Sequence, residues 1–239
     1  LNNTKELHTK KVSIEDSVGR ILVKDVYSKT EMPRFNKSAV DGYAVKAVDI
    51  KKIPAKLKCI GSIETGKTFR KRLRAGECVK IMTGAFLSEG SDSVVMVEAT
   101  RHNGNYIEIN NPIKKWQNVC FQGEDIKKKQ RVLAKRTVLS TSDVALLATV
   151  GKVFVEVIKR PEVAIINTGG EIIPVGNKLS KRKIYNSNGP QIIAFLKSDG
   201  INPCFLGIAK DKPQELKNVI KKGLKNDVLL ISGGVSMGD

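Results

Sequence analysis

The sequence predicts a multi-domain α/β plus β protein, on three observations. From about residue 28 to 126 the chain reads as short apolar strands separated by Gly, Asn and Pro turn signals, the pattern of a small barrel-like or sandwich-like β module. After Pro161 strand and helix patterns alternate, which argues a mostly parallel sheet with helices on its faces. Between and before these stretches lie two helix starts with capping-box spacing, Ser13 with Asp16 and Ser140 with Asp143.

Taken in order, Ser13 to Val18 is expected to be a short helix stopped at Gly19. In the β-rich stretch the best strands are Leu57 to Ile60, Glu77 to Met82, Ser93 to Val97 and Tyr106 to Ile109. Gly61, Gly66, Gly90 and Asn103-Gly104-Asn105 supply the turns between them. Ser140 opens a helix that Gly151 closes, and Val153 to Ile158 is strand-like. The alternating part then runs through strand Val163 to Asn167, helix Asn188 to Ser198, strand Pro203 to Ile208, helix Lys212 to Lys225 and strand Asp227 to Ser232. Ile192, Phe195 and Leu196 are expected inward on the first of these helices, and Leu216, Val219, Ile220 and Leu224 on the second.

Composition narrows the chemistry. Hydrophobic residues make up 41% of 239, enough for a core, and no apolar run approaches the ~20 residues of a membrane span. The polar N-terminal stretch has no signal-peptide pattern, so a soluble, cytoplasmic protein is expected. Cys59, Cys78, Cys120 and Cys204 are widely and irregularly spaced, which supports neither a zinc site nor a disulfide framework. With only His8 and His102 present, a histidine-rich metal centre is excluded and a Ser-His-Asp triad has almost nothing to build on. The formal charge of +18 invites an anionic partner. Yet aromatics are 5% and do not interleave with the basic residues, as single-strand binders require. A lysine-rich surface or a small anionic substrate fits better than nucleic acid.

In an open parallel sheet, ligands bind outside the carboxyl ends of the strands. Two loops occupy such ends: Thr168-Gly169-Gly170-Glu171, and the segment from Ser232 through Gly233, Gly234, Ser236 and Gly238 to Asp239. Their glycines let a ligand approach the backbone, whose free N–H groups can hold phosphate oxygens. Glu171 and Asp239 could hold a divalent cation beside that phosphate. Gly-rich turns after strands are also common structural devices, and either loop could be only that. Asp211 follows a strand end too, but Asp211-Lys212-Pro213-Gln214 is equally a helix start with Asp as N-cap. Earlier in the chain, SAVDGYAV carries Asp41, IMTGA carries Thr83 and GEDI carries Asp125, each in what could be an ordinary turn.

As an ordered set these segments resemble the molybdopterin molybdenumtransferase family, meaning bacterial MoeA and the E domain of gephyrin. The matching stretches are GRILVKDV, PRFNKSAVDGYAV, GECVKIMTGA, EGSDSVVMVE, GEDI, RPEVAIINTGGE, IYNSN, LGIAKD and SGGVSMGD, from about Val12 to Asp239. The resemblance implies a helical linker domain (residues 1–27 and 127–160), a β-rich domain (28–126) and a molybdopterin-binding α/β domain (161–239). It further implies that this last domain is truncated and that a carboxyl-terminal β-domain lies outside the chain. The implied activity is insertion of molybdate into adenylylated molybdopterin with release of AMP, assisted by Mg2+. A homodimer with a cleft shared between subunits is implied as well. By the same resemblance Asp41, Thr83, Asp125, Glu171 and Asp211 are catalytic, and Glu171 and Asp239 bind metal. Thr168, Gly169, Ser232, Gly233, Gly234, Ser236 and Gly238 bind the pterin substrate.

The sequence departs from the family pattern at Gly170, where TGDE has an aspartate, at Ser88, where a proline is common, and at Arg34, which replaces the second of two prolines. Gly170 keeps open an alternative reading, a non-catalytic pterin-binding or scaffold protein of the same fold.

Overall fold

The computed structural model describes residues 6–210 and 212–233. They form two compact units, one within Val26–Val132 and one within Leu1–Asp25 and Leu133–Asp239.

The first unit is built on a six-stranded sheet. Its order is Ser93–Met96, Gly42–Val45, Glu77–Ile81, Ala55–Ile63, Tyr106–Ile109 and Thr100–Asn103. All neighbours are antiparallel except Ala55–Ile63 with Glu77–Ile81. The two edge strands are consecutive in sequence, joined only by the short 3-10 turn Val97–Ala99. Laid flat, six strands would separate those edges by roughly 24 Å. A three-residue link spans at most about 13 Å, so the sheet must curl back on itself. The curl gives it two cores on opposite faces, and strand alternation assigns neighbours to each. Tyr43, Val45, Cys78 and Val95 enter one core; Ala44, Val79, Ile81 and Val94 enter the other. Across the curl the buried Tyr43 hydroxyl hydrogen-bonds His102 Nε2, with the two rings edge to face at 5.7 Å.

The second unit contains an antiparallel pair, Thr9–Ser13 with Phe154–Ile158, the helix Thr141–Thr149, and a three-stranded parallel sheet. Val163–Thr168 lies in the middle of that sheet and is buried throughout, with Cys204–Ala209 on one side and Val228–Ser232 on the other. The helices Asn188–Ser198 and Pro213–Gly223 connect these strands. The sequence therefore crosses first to one side of its central strand and then to the other, placing an order reversal at that strand's carboxyl end. Ile172–Ile173 and Ile184–Tyr185 form a further parallel pair that the sequence pattern did not predict.

Several local expectations change. Ser13 to Val18 forms only a 3-10 turn, Glu15–Ser17. Ser13 does engage Asp16, accepting from its N–H at 3.2 Å, but Ser13 is already held extended by pairing with Phe154. Phe195 and Leu224 are exposed, each at 68%. Gly189, Ile192, Ile193 and Leu196 form the covered stripe of the first helix at i, i+3, i+4, i+7, and Phe195 falls off that stripe. Leu224 lies just past its helix, as the C-cap. Lys212, not Asp211, is the residue before that helix, with Pro213 opening it.

Candidate functional site

In the β-rich unit two of the three expected motifs, those of Asp41 and Thr83, meet at one end of the curled sheet. Asp41 immediately precedes Gly42–Val45, and Thr83 follows the antiparallel neighbour Glu77–Ile81. Thr83 donates both its backbone N–H and its Oγ1 to Asp41 Oδ1, each at 2.7 Å. The backbone N–H does most to hold the Asp41 carboxyl below its ordinary value and the hydroxyl adds to it; desolvation opposes them, and Lys80 contributes a smaller pull. The two loops are laced together beneath this contact. Gly84 N–H donates to the Ser38 carbonyl at 2.8 Å, and Ser38 N–H to the Ala85 carbonyl at 3.0 Å. Ser38 also pairs with Val119, bringing in the strand that leads to GEDI.

Asp125 sits on that third loop, its N–H donating to the Met32 carbonyl at 3.0 Å. Its neighbour Glu124 closes its own turn by accepting from Phe121 N–H at 2.7 Å. Among the described residues Asp125 makes no hydrogen bond to Asp41 or Thr83, so the structure joins the first two directly and the third only through shared backbone. Asp41, Thr83 and Asp125 are all exposed.

In the α/β unit the ends of two parallel strands nearly touch. Gly233 adopts φ +105°, and a Cβ there would stand 2.2 Å from the Thr168 carbonyl oxygen. Only glycine allows that approach. A polar scaffold surrounds it. The buried Asn186 donates its side-chain amide to Asn167 Oδ1 at 3.0 Å and accepts from Gly189 N–H at 3.0 Å. Asn188 donates to Ser232 Oγ at 3.0 Å. The start of helix Asn188–Ser198 is thereby fastened to both strand ends. Glu171 folds over the first loop, its carboxylate oxygens 2.9 and 3.0 Å from where a Gly169 Cβ would be. Lys183 Nζ donates to the Gly170 carbonyl.

Beside these strand ends opens a pocket of about 530 Å3. Ile172, Pro174, Ile193 and Phe205 provide apolar wall, Asn186 provides an amide, and Lys183 and Lys210 provide charge. Such a pocket suits a flat heterocycle carrying an anionic group.

Of the residues expected from the sequence, Gly169 lines this pocket; Thr168 and Gly233 meet at the adjoining strand ends, Glu171 lies against Gly169, and Asn188 holds Ser232. Asp211, Gly234, Ser236, Gly238 and Asp239 lie outside the described residues. The sequence reading assigned no role to Asn167, Asn186, Asn188, Lys183 or Lys210. IYNSN held the available signal, two asparagines flanking the helix start.

A model of the MoeA N-terminal region (domain I and II) matches residues 1–151. The chain belongs to the MoeA family. A second model, described as a probable molybdopterin binding domain, matches residues 171–239. Proteins named molybdopterin molybdenumtransferase are similar along the chain. The one from Staphylococcus epidermidis is 35% identical over 233 residues, and that from Staphylococcus aureus 37% over 236. Each match covers 95% of this chain and 56% of the relative, so the chain spans little more than half the length of these MoeA relatives. Two crystal structures of the molybdopterin biosynthesis MoeA protein from Pyrococcus horikoshii are similar in fold. One has a TM-score of 0.83 at 36% identity, covering 98% of this chain and 61% of that one. The other has a TM-score of 0.91 at 31% identity, covering 99% and 64%. The fold is the MoeA-like one, mixed α/β with a curled sheet and few helices, and the family expected from the motifs is the family found. Among the described residues no helix is long and apolar enough to cross a membrane.

Proposed function

We propose that the protein to which this chain belongs inserts molybdate into adenylylated molybdopterin and releases AMP. The observation that carries the proposal is the pocket at the Gly169-Gly170 turn, with apolar walls for a ring and Lys183 and Lys210 for a phosphate. The names of the similar proteins agree with this chemistry.

In this reading the exposed N–H groups of the strand-end loops hold phosphate oxygens. Ser232, oriented by Asn188, donates to the same group. Lys183 and Lys210 draw in and neutralise the anion. Asp41, kept ionised by Thr83, and Asp125 are the carboxylates that orient water or molybdate; Asp211 and Asp239 are assigned with them by family likeness. A divalent cation would supply positive charge to neutralise the cleaved phosphoanhydride, and Glu171 would be one of its protein ligands. Its carboxylate lies against the glycine loop, and magnesium commonly takes one or two carboxylates with phosphate and water. The three-domain division, a homodimer and a cytoplasmic location belong to the same proposal. The last is consistent with the free cysteines Cys59, Cys78, Cys120 and Cys204.

The test is single-turnover AMP release by the intact protein with adenylylated molybdopterin, molybdate and magnesium. Metallated cofactor and AMP in equal amounts support the proposal; neither product sinks it. A Lys183→Gln, Lys210→Gln double variant should weaken substrate binding on the order of tenfold or more, as charge-assisted contacts to a phosphate are lost. Gly170→Asp should lower the magnesium concentration required, because it adds a carboxylate beside Glu171.

A further inference from the structure

The β-rich unit contains a second cleft, of about 890 Å3, at the end of the curled sheet away from Asp41. Lys46, Lys71, Arg72 and Arg74 line it, with Glu77 as its one acidic lining residue. Its place follows from the strands. Asp41 and Lys46 flank the four-residue strand Gly42–Val45, so five extended steps, roughly 16 Å, separate the two ends. The antiparallel neighbour repeats the separation, with Glu77 at its start and Thr83 past its end.

The cationic loop is held in place. Leu73 is buried at 1% exposure in one of the sheet's cores, and its N–H donates to the Glu89 carbonyl at 2.8 Å. Leu73 is buried while Arg72 and Arg74 on either side of it are exposed. The loop's far end is tied by Gly76 N–H donating to Asp49 Oδ2 at 2.9 Å and by Lys58 N–H donating to the Gly76 carbonyl at 2.8 Å.

Little opposes the positive charge. Glu77 accepts from the Arg74 backbone N–H at 2.9 Å, which leaves the Arg74 guanidinium without an acidic partner among the described residues. Arg72 reaches Glu89 only at 3.8 Å between two exposed side chains, a contact of small worth. Lys46 and Lys71 have no ion-pair partner among the described residues. Two guanidinium forks and two ammonium groups around one cleft match clustered phosphate oxygens. The lining includes no aromatic residue on which a base could stack.

We infer that this cleft binds a small oligophosphate, recognised through its phosphate groups, at a site separate from Asp41 and Thr83. The probe is inorganic tripolyphosphate, titrated into the intact protein by calorimetry. Saturable binding of about one per chain is expected. Arg72→Gln with Arg74→Gln should weaken it at least about tenfold, as two charge-assisted forks are lost. Lys128→Gln with Lys129→Gln, which removes the same charge from another loop, should change it less than about twofold. Equal losses in the two double variants would show a delocalised charge effect and overturn the inference. So would the absence of saturable binding in the unsubstituted protein, or preferential binding of a single-stranded RNA 20-mer with the same dependence on Arg72 and Arg74. Thermal melts of each variant check that these exposed substitutions leave the fold intact.

Discussion

Thr83 gives both of its hydrogen-bond donors to one oxygen of Asp41. The pairing ties two loops 42 residues apart and favours the ionised carboxylate. Thr83→Ala removes the hydroxyl, so Asp41 should titrate closer to the ordinary carboxylate range, whereas Thr83→Ser should keep the low value. Because the folded-state value is depressed, the associated stabilisation is present above the ordinary carboxylate pKa and is lost as pH falls through the folded one. Carboxyl carbon NMR of Asp41 from neutral pH downward reads the shift directly. Superimposable titrations for the alanine variant and the parent would refute the coupling.

Tyr43 closes the curl of the β-rich sheet through His102. Burial comes first among the causes that push its phenol above the ordinary tyrosine value, followed by the nearby Cys59 and Cys78 thiols. Tyr43→Phe keeps the ring in the core and deletes the hydroxyl. A loss of about 0.5–1.5 kcal/mol is expected in urea unfolding of this unit. A variant as stable as the parent would show that the bond adds nothing beyond packing.

Asn186 bridges Asn167 and the Gly189 N–H in a buried setting. Asn186→Ala leaves a buried acceptor and a buried donor without partners, each costing about 1–3 kcal/mol. Amide exchange at Gly189 should accelerate and the α/β unit should unfold at lower denaturant. Unchanged exchange at Gly189 would mean that Asn186 does not hold the start of this helix.

Ser140 and Asp143 form a full capping box on helix Thr141–Thr149. Ser140 accepts from Asp143 N–H at 3.3 Å, and Asp143 accepts from Ser140 N–H at 2.8 Å. Ser140→Ala should cost ~1 kcal/mol, while Ser140→Thr should cost less. A helical circular dichroism signal and midpoint equal to the parent's in the alanine variant would count against it.

Buried Cys78 gives a chemical check on the curled sheet. Its thiol is pushed up to about 12, chiefly by burial, while Cys204 is exposed. A thiol-specific reagent near pH 8 should label Cys204 within the mixing phase and Cys78 only on unfolding. Rapid labelling of Cys78 in the native protein would mean the sheet does not cover it.

Periodicity made much of this fold legible in advance. Asn188 to Ser198, Tyr106 to Ile109 and the capping box at Ser140 depend on local spacing, and local spacing is written in sequence. The ordered motifs also named the family, since Asp41, Thr83 and Glu171 each stand in a short contiguous run. Where reading failed, the deciding contact was remote. Ser13 stays extended because Phe154 pairs with it. Phe195 is exposed because the stripe on its helix is chosen by what the helix packs on, not by its own apolarity. The asparagines of IYNSN were visible, but nothing local says that Asn186 meets Asn167 or that Asn188 meets Ser232.

The sequence by itself determined the alternation of elements, the family and the residue types at the loops, because each rests on neighbours within a few positions. Tertiary structure alone decided that both donors of Thr83 converge on Asp41, that Gly233 meets the Thr168 carbonyl, and that Leu73 is buried between the exposed Arg72 and Arg74. Those relationships arise from close packing between segments far apart in the chain, where a single missing Cβ or one buried side chain sets the geometry.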